Sequence, residues 1–145
     1  MNANQKRGNW RDGHFRYELP REFHPEDALI EAVVGAAYEV SNVLGAGFLE
    51  KVYQRGLLQE LDMRGIPASA DVFLPVHYKG HVLGNYSPDL LVDGRLIVEL
   101  KCVEHFAPEH LAQCLNYLKA SHLPLALLIN FQRPKVEWKR IVLSH

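Results

Sequence analysis

The run PLALLINF, residues 124–131, constrains the fold of this chain more than any other stretch. It is apolar almost without interruption, which is typical of a strand covered on both faces. A predicted helix from Pro108 to about Ser121 precedes it, and a strand-like run from Leu96 to Val103 precedes that helix. Such a strand–helix–strand step is a right-handed crossover, which places its two strands parallel. The chain is therefore predicted to form a mixed sheet flanked by helices.

The remaining segments add two helices at the start of the domain and three strands. One helix is predicted from Ala28 to Leu44, after a His-Pro-Glu-Asp start, and another from about Phe48 to Arg64. Two strand-like runs precede Leu96 and suggest an antiparallel meander, and a last strand closes the chain. These strands are predicted over Val72–Tyr78, Val82–Val92 and Val136–Leu143. The predicted class is α/β with mixed α+β character, in the order α-α-β-β-β-α-β-β.

Composition fits one domain that is preceded by a loose arm. The chain has 145 residues, 48% of them hydrophobic and 23% charged, and a formal net charge of −1. Residues 1–23 are polar with balanced charges and no period, so an arm is predicted there and a single domain over residues 24–145. No window approaches about 18 consecutive apolar residues, and no signal-peptide core is evident. We expect a cytoplasmic protein with no membrane partner.

Three charged residues interrupt the most strand-like stretch, SPDLLVDGRLIVELK, residues 87–101. A buried, unpaired charge is strongly destabilising. Because side chains alternate along a strand, Glu99 and Lys101 share one face. The position of Asp89 depends on the turn at Asp93-Gly94. A two-residue turn puts Asp89 on the opposite face, whereas a three-residue connection through Arg95, or one bulge, sets it opposite Glu99.

Facing carboxylates beside a lysine suit metal-assisted chemistry. Two such carboxylates repel each other unless a cation lies between them, and Mg²⁺ or Mn²⁺ prefers oxygen ligands. A metal held there can polarise a phosphodiester and lower the pKa of a bound water. The alternative is a surface ion pair between Lys101 and Glu99 or Asp89, which contributes little energy. The spacing alone leaves both interpretations open.

Several motifs resemble a known family. Pro88-Asp89, a spacer of nine residues and Glu99-Leu100-Lys101 are similar to the PD-(D/E)XK motif of the restriction-endonuclease-like superfamily. The segment Gly47-Phe48-Leu49-Glu50-Lys51-Val52-Tyr53 resembles the signature of a small branch of it, the GxxExxY family. The phrases HLAQCLNYLK and LLINF follow in the order that the family shows. The resemblance covers roughly Pro25 to Val142.

The resemblance implies a restriction-endonuclease-like core and a metal-dependent nuclease acting on nucleic acid, DNA ahead of RNA, with a homodimer as the expected assembly. It makes Asp89 and Glu99 ligands of Mg²⁺ or Mn²⁺, with the backbone carbonyl of Leu100 as a further ligand. Glu50 corresponds to an acid that helps hold the metal or its water. Lys101 corresponds to the catalytic lysine.

The resemblance also points to Gln113 as a catalytic residue and to Tyr117 and Tyr53 as accessory residues, each with a simpler interpretation. Gln113 and Tyr117 are spaced i, i+4 on the third helix and would lie near the lysine, or they are helix-surface residues. Tyr53 is a packing residue at helical spacing from Glu50 or an accessory of the site. Glu50 itself stands at a helix start, where an acid is favourable in any protein.

Other candidates stay open. Basic residues near the C-terminus could contact phosphate or belong to a solvated strand face; they are Arg133, Lys135, Lys139 and Arg140. A rival metal site could use His105, Glu109 and His110. The rival functions are a non-catalytic module of the same fold that binds nucleic acid or a protein partner, and a different phosphate-ester chemistry at the same site.

Overall fold

A computed structural model describes residues 26–143 of the chain. The predicted arm over residues 1–23 lies outside the described residues, and the single domain over residues 24–145 stays a prediction. Each predicted helix is present close to its expected bounds. The helices are α1 (Asp27–Leu44), α2 (Glu50–Met63) and α3 (Pro108–Ser121). The strands are β1 (Ala68–Ser69), β2 (Leu74–Tyr78), β3 (His81–Tyr86), β4 (Leu90–Val92), β5 (Leu96–Lys101), β6 (Leu125–Asn130) and β7 (Glu137–Val142).

The run Val82–Val92, predicted as one strand, is two strands in different sheets. β3 pairs with β2 in a two-stranded sheet, whereas β4 joins a five-stranded sheet of order β1-β4-β5-β6-β7. The break falls at Ser87-Pro88, where proline has no N–H to offer a ladder. The predicted meander is therefore wrong at this point. The short strand β1, which pairs with β4, has no counterpart in the predicted order.

The central crossover confirms the predicted class. β5 and β6 are parallel, with α3 between them in sequence, while β4 pairs antiparallel with β5 and β7 antiparallel with β6. The structure is thus a mixed sheet flanked by helices. Within the described residues, no helix has the length and apolar character that crossing a membrane requires.

Helices cover both faces of the main sheet. α1 and α2 pack on the face that carries Leu96, Val98 and Leu100 of β5. α3 and the first residue of the β2–β3 hairpin pack on the opposite face, against Ile97. This double covering explains why β5 and β6 read as nearly continuous apolar runs. It also means that Glu99, on the same face as Ile97, points into a covered layer.

Candidate active site

The turn between β4 and β5 sets the register that a site at these strands requires. Its central residues, Asp93-Gly94, both have positive φ, of 54° and 66°. Val92 pairs with Leu96, so the connection contains three residues. Continuing this register by one residue places Asp89 across from Glu99. Of the two registers that the sequence leaves open, the structure has the one that brings the acids together.

Each acid accepts a hydrogen bond from a backbone N–H of the opposite segment. The Leu100 N–H donates to Asp89 Oδ2 at 2.7 Å, and the Asp89 N–H donates to Glu99 Oε1 at 3.1 Å. The two carboxyl groups are close enough to interact directly. Glu99 is only 5% exposed. The β4–β5 pair therefore holds two carboxyl groups side by side in a largely desolvated position.

Burial makes this pair electrostatically unfavourable when both groups are charged. It raises the pKa of Glu99 to about 8, and the charge of Asp89 adds to the effect. Burial likewise raises the pKa of Asp89, although the hydrogen bond from Leu100 opposes this and the charge of Glu50 adds to it. Groups whose pKa is shifted by burial and by a like charge are typical of functional sites. The pair favours uptake of a proton or of a cation.

Lys101 lies beside the pair and not on the surface. Its Nζ is 3.6 Å from Glu99 Oε2, with side-chain exposures of 16% and 7% for the lysine and the glutamate. Nζ also donates to Gln113 Oε1 at 3.1 Å, so α3 positions the ammonium group. The surface ion pair that the spacing left open is therefore not what the structure contains.

Tyr117 is the second residue of α3 at the site. It is buried, and its hydroxyl donates to the carbonyl of Ser87 at 3.5 Å. Ser87 lies two residues before Asp89. Burial raises its pKa, with the charges of Glu99 and Asp89 adding to the effect. Gln113 is thus in contact with the lysine, and the charges of Glu99 and Asp89 act on Tyr117.

Glu50 approaches from the other face of the sheet. It is the first residue of α2, and its Oε2 accepts a hydrogen bond from the N–H of Cys102, at 3.1 Å. This contact places the carboxylate at the end of β5, one residue past Lys101. Its charge raises the pKa of Asp89, so the three acids share one electrostatic environment.

Tyr53, the tyrosine of the GxxExxY-like segment, holds the loop that precedes Glu50. Its hydroxyl donates to the carbonyl of Gly45 and accepts from the N–H of Phe48 at 3.2 Å. Its fully buried ring stacks on Phe131, with centroids 4.6 Å apart. Gly47, with φ of 110°, lets the loop turn into α2. Tyr53 thus fixes the loop in front of Glu50, which is the packing interpretation of this residue.

Two buried polar residues that hold the backbone near the site escape the sequence-based prediction. Gln54 is buried on α2, and its Nε2 donates to the carbonyl of Asp89 at 2.9 Å, which secures the strand that carries the first carboxylate. Asn130, opposite Lys101 in the parallel register, bonds to both the N–H and the carbonyl of Val103. A polar residue on the apolar side of a helix, or inside an apolar strand, is the signal that could have indicated both.

The side chains of this site could supply only some of the ligands that a hard divalent cation such as Mg²⁺ needs. Among residues 26–143, no group of three or more His, Cys, Asp or Glu side chains is arranged to hold a metal ion. Two adjacent carboxylates that repel each other nevertheless have the oxygen chemistry that Mg²⁺ and Mn²⁺ prefer. Mg²⁺ commonly takes one or two carboxylates and completes its shell with water and substrate oxygens. The donors present are compatible with such a site.

The rival histidine site is not formed. His110 Nδ1 accepts the N–H of Ala107 at 2.9 Å, and burial lowers the pKa of this imidazole, with Lys101 adding to the effect. His105 Nδ1 is instead 3.2 Å from the guanidinium of Arg133. The two imidazoles therefore have separate partners, and Glu109 joins no metal-binding group within the described residues.

The basic residues near the C-terminus do not converge on the acids. Lys139 and Arg140 lie on β7, which β6 separates from β5. Arg140 Nε donates to Asp27 Oδ1 at 2.8 Å, so it pairs with α1. Arg133 donates to the carbonyl of Glu104. Arg133 and Arg140 therefore have partners within the protein and do not require nucleic acid as a partner, whereas Lys135 is an exposed loop residue.

Comparison with solved structures supports the fold. The crystal structure of SSO0001 matches with a TM-score of 0.53 at 17% identity, covering 83% of this chain and 60% of that one. This chain therefore spans less than two thirds of SSO0001. An alkaline exonuclease from Laribacter hongkongensis, LHK-Exo, matches at TM-score 0.44 and 15% identity over 81% of this chain and 82% of that one. Identities this low show the fold alone.

Sequence comparison identifies the family. A search of curated proteins found no match. The profile of the PD-(D/E)XK nuclease superfamily, in contrast, matches residues 27–141, which is most of the chain and includes Asp89, Glu99 and Lys101. The acids and the lysine of that motif meet in the structure at the ends of β4 and β5. This chain belongs to the PD-(D/E)XK nuclease superfamily.

Proposed function

We propose that the protein is a Mg²⁺- or Mn²⁺-dependent nuclease that hydrolyses phosphodiester bonds of DNA. The observation that carries this proposal is the meeting of Asp89 and Glu99 in a desolvated position with the Lys101 ammonium beside them. PD-(D/E)XK nucleases generally use divalent metal ions, and their fold suggests binding to nucleic acid. The choice of metal, of DNA over RNA, and of catalysis over binding belongs to the proposal.

Each residue has a role that follows from its contacts. Asp89 and Glu99, with the Leu100 carbonyl, would hold the metal, and Glu50 would help to hold its water. When bound, the metal would polarise the phosphodiester and lower the pKa of a bound water. The ammonium of Lys101, fixed by Gln113, would stabilise the negative charge that develops on the phosphate. Tyr117 and Gln54 hold the backbone of this segment at the carbonyls of Ser87 and Asp89.

Assignment to the GxxExxY branch is part of the proposal. The contacts of Tyr53 with Gly45 and Phe48 support it, because they hold in place the loop that contains Gly47 of the signature and precedes Glu50. We further propose that the enzyme acts as a homodimer in the cytoplasm. The oligomeric state can be measured by light scattering of the purified chain, and a monomer with full activity would contradict the dimer.

The test is a cleavage assay on the purified full chain with Mg²⁺ or Mn²⁺ and with DNA and RNA substrates. Lys101→Ala and Asp89→Asn should each lower the cleavage rate by about 10²-fold or more, as loss of a transition-state contact does. Lys79→Ala, in the exposed β2–β3 turn, is the matched control and should cleave normally. Undiminished activity in both site variants would contradict the proposal. Metal binding without cleavage of any substrate would favour the non-catalytic module.

A further inference from the structure

Two adjoining clefts run between α3 and the β2–β3 hairpin, and one of them is lined by a residue that contacts Lys101. The first, of about 470 Å³, is lined by Gln113, whose side chain accepts the hydrogen bond from Lys101. Ser87 lines the same cleft. The second, of about 380 Å³, shares Tyr86 and Asn116 with the first. We call the two clefts together the α3–hairpin groove; both have the size of ordinary ligand sites, about 300–1,000 Å³.

The chemistry of the groove changes along its length. Near the site it offers side-chain amides, from Asn85 and Gln113, together with one carboxylate, Glu109. Beyond the shared residues it offers cationic or protonatable groups, from Lys119 and His77. The amides and the aromatic ring at the first end can contact bases, and the basic groups at the second end can contact phosphates. The groove therefore has the chemistry of a site for a nucleic acid strand.

Tyr86 is the feature that selects the occupant. Its ring is 42% exposed, yet it is held edge-to-face against the buried Tyr117 with centroids 5.8 Å apart. A ring that is anchored but accessible is a stacking platform, because every base has a π-face that can lie on it. In a duplex these faces are already stacked on neighbouring bases, so only an unpaired base can use the platform.

The dimensions of the groove also suit a single strand. Gln113 and Lys119 are six residues apart on α3, which separates them by about 9 Å along the helix axis. A few unpaired nucleotides can cover that distance.

We propose that the α3–hairpin groove binds single-stranded DNA, with a base stacked on Tyr86 and a phosphate at Lys119, and leads the strand to the acidic pair. The final clause of this assignment rests on the proposed nuclease function, whereas binding in the groove does not require cleavage. The substrate of the site would therefore be an unpaired strand or end of DNA and not an intact duplex.

The first test measures binding by fluorescence anisotropy, in EDTA so that no cleavage occurs. The probes are a labelled oligothymidylate of about eight nucleotides, within the 4–16 nucleotides that such sites cover, and a duplex of equal length. The full chain should bind the single strand more tightly. Tyr86→Ala should weaken that binding by about 5- to 150-fold, the equivalent of losing 1–3 kcal/mol of stacking. Tyr86→Phe should bind like the wild type.

A matched control separates the groove from the rest of the hairpin. Tyr78 is 57% exposed and lies on β2 of the same hairpin, but it lines neither cleft. Tyr78→Ala should therefore bind the oligonucleotide normally. Equal losses in the two alanine variants, no loss in Tyr86→Ala with its fold retained by circular dichroism, or equal binding of single strand and duplex would each overturn the proposal.

The second test uses salt dependence. Lys119→Gln should reduce the slope of log K against log salt by about 0.7, the value for one phosphate contact with a single strand. Lys79→Gln, which removes a lysine packed over the Tyr78 ring at 5.3 Å and outside both clefts, should leave the slope unchanged. An unchanged slope in Lys119→Gln would overturn the phosphate contact.

The two proposals can fail separately. Tyr86-dependent binding of single strands by a protein that cleaves no substrate would uphold the groove and contradict the nuclease function. Metal-dependent cleavage of DNA that is unaffected by Tyr86→Ala would do the reverse.

Discussion

Asn130 and Glu99 are both buried polar residues on the neighbouring parallel strands β6 and β5, but their surroundings differ in kind. Asn130 is fully buried and makes hydrogen bonds with Val103, Gln132 and Glu137, so its amide is satisfied and neutral. Glu99 is buried beside another carboxylate that repels it. A satisfied polar group stabilises a fold, whereas a buried pair of like charges is tolerated for what it can bind.

The largest expected effect comes from removing the repulsion. Without metal, the raised pKa of Glu99 means that the folded state holds a proton that the unfolded state loses between pH 4.5 and about 8. The free energy of unfolding should therefore fall as the pH rises through this window. Glu99→Gln keeps an acceptor for the Asp89 N–H and removes the charge. We expect the variant to be more stable than the wild type by up to about 5 kcal/mol at pH 8, the free energy that corresponds to the separation of these two pKa values.

Denaturant titration in EDTA at pH 5 and at pH 8 checks this. The stability difference should shrink toward pH 5, where the wild-type carboxyl is protonated in the folded state. Glu60→Gln is the matched control, because Glu60 pairs with Arg64 at 2.7 Å in an exposed i, i+4 bridge. Its pH profile should run parallel to that of the wild type. A profile of Glu99→Gln parallel to the wild type would show that Glu99 is not under electrostatic strain.

Asn130 should show the opposite sign. Asn130→Ala leaves the N–H and the carbonyl of Val103 without their side-chain partner, and should lower the free energy of unfolding by about 2–3 kcal/mol. Asn42→Ala, on the exposed side of α1, should change it by less than about 0.5 kcal/mol. Equal stability of Asn130→Ala and the wild type would remove the distinction between the two buried groups.

Tyr53 should show the smallest effect. Tyr53→Phe removes the hydrogen bonds to Gly45 and Phe48 but keeps the ring stacked on Phe131, and should lower the free energy of unfolding by about 1 kcal/mol. Cleavage should be nearly unchanged, with Tyr78→Phe on the exposed hairpin as the control. Loss of cleavage at unchanged stability would place Tyr53 in the chemistry.

The sequence predicts most of the fold because its longer elements have clear periods. All three helices and the parallel step β5–α3–β6 follow from apolar spacing. The division of the run Val82–Val92 is not predicted, although Pro88 is a local signal for a break in the strand. The pairing of β3 with a second sheet depends on tertiary packing. β1 is two residues long and carries no local signal.

The site divides in the same way. Asp89, Glu99 and Lys101 can be found from the sequence through their resemblance to the PD-(D/E)XK motif, whereas their spacing alone leaves a surface ion pair open. Gln54 and Asn130 cannot, since each acts on the backbone of a residue distant in sequence. The register that brings the two acids together depends on the length of the β4–β5 connection, which the sequence leaves open. A polar residue inside an apolar pattern indicates a buried hydrogen bond, but it does not identify the residue that accepts or donates it.

Calorimetric titration with Mn²⁺ at pH 8 tests the central claim, that the repelling pair exists to hold a cation. The wild type should bind Mn²⁺, with release of protons that scales with the ionisation enthalpy of the buffer, because the metal displaces the proton that the pair holds at raised pKa. Glu99→Gln and Asp89→Asn should lose the binding while Glu60→Gln retains it. Absence of Mn²⁺ binding in the folded wild type, or equal binding in Glu99→Gln, would contradict the claim.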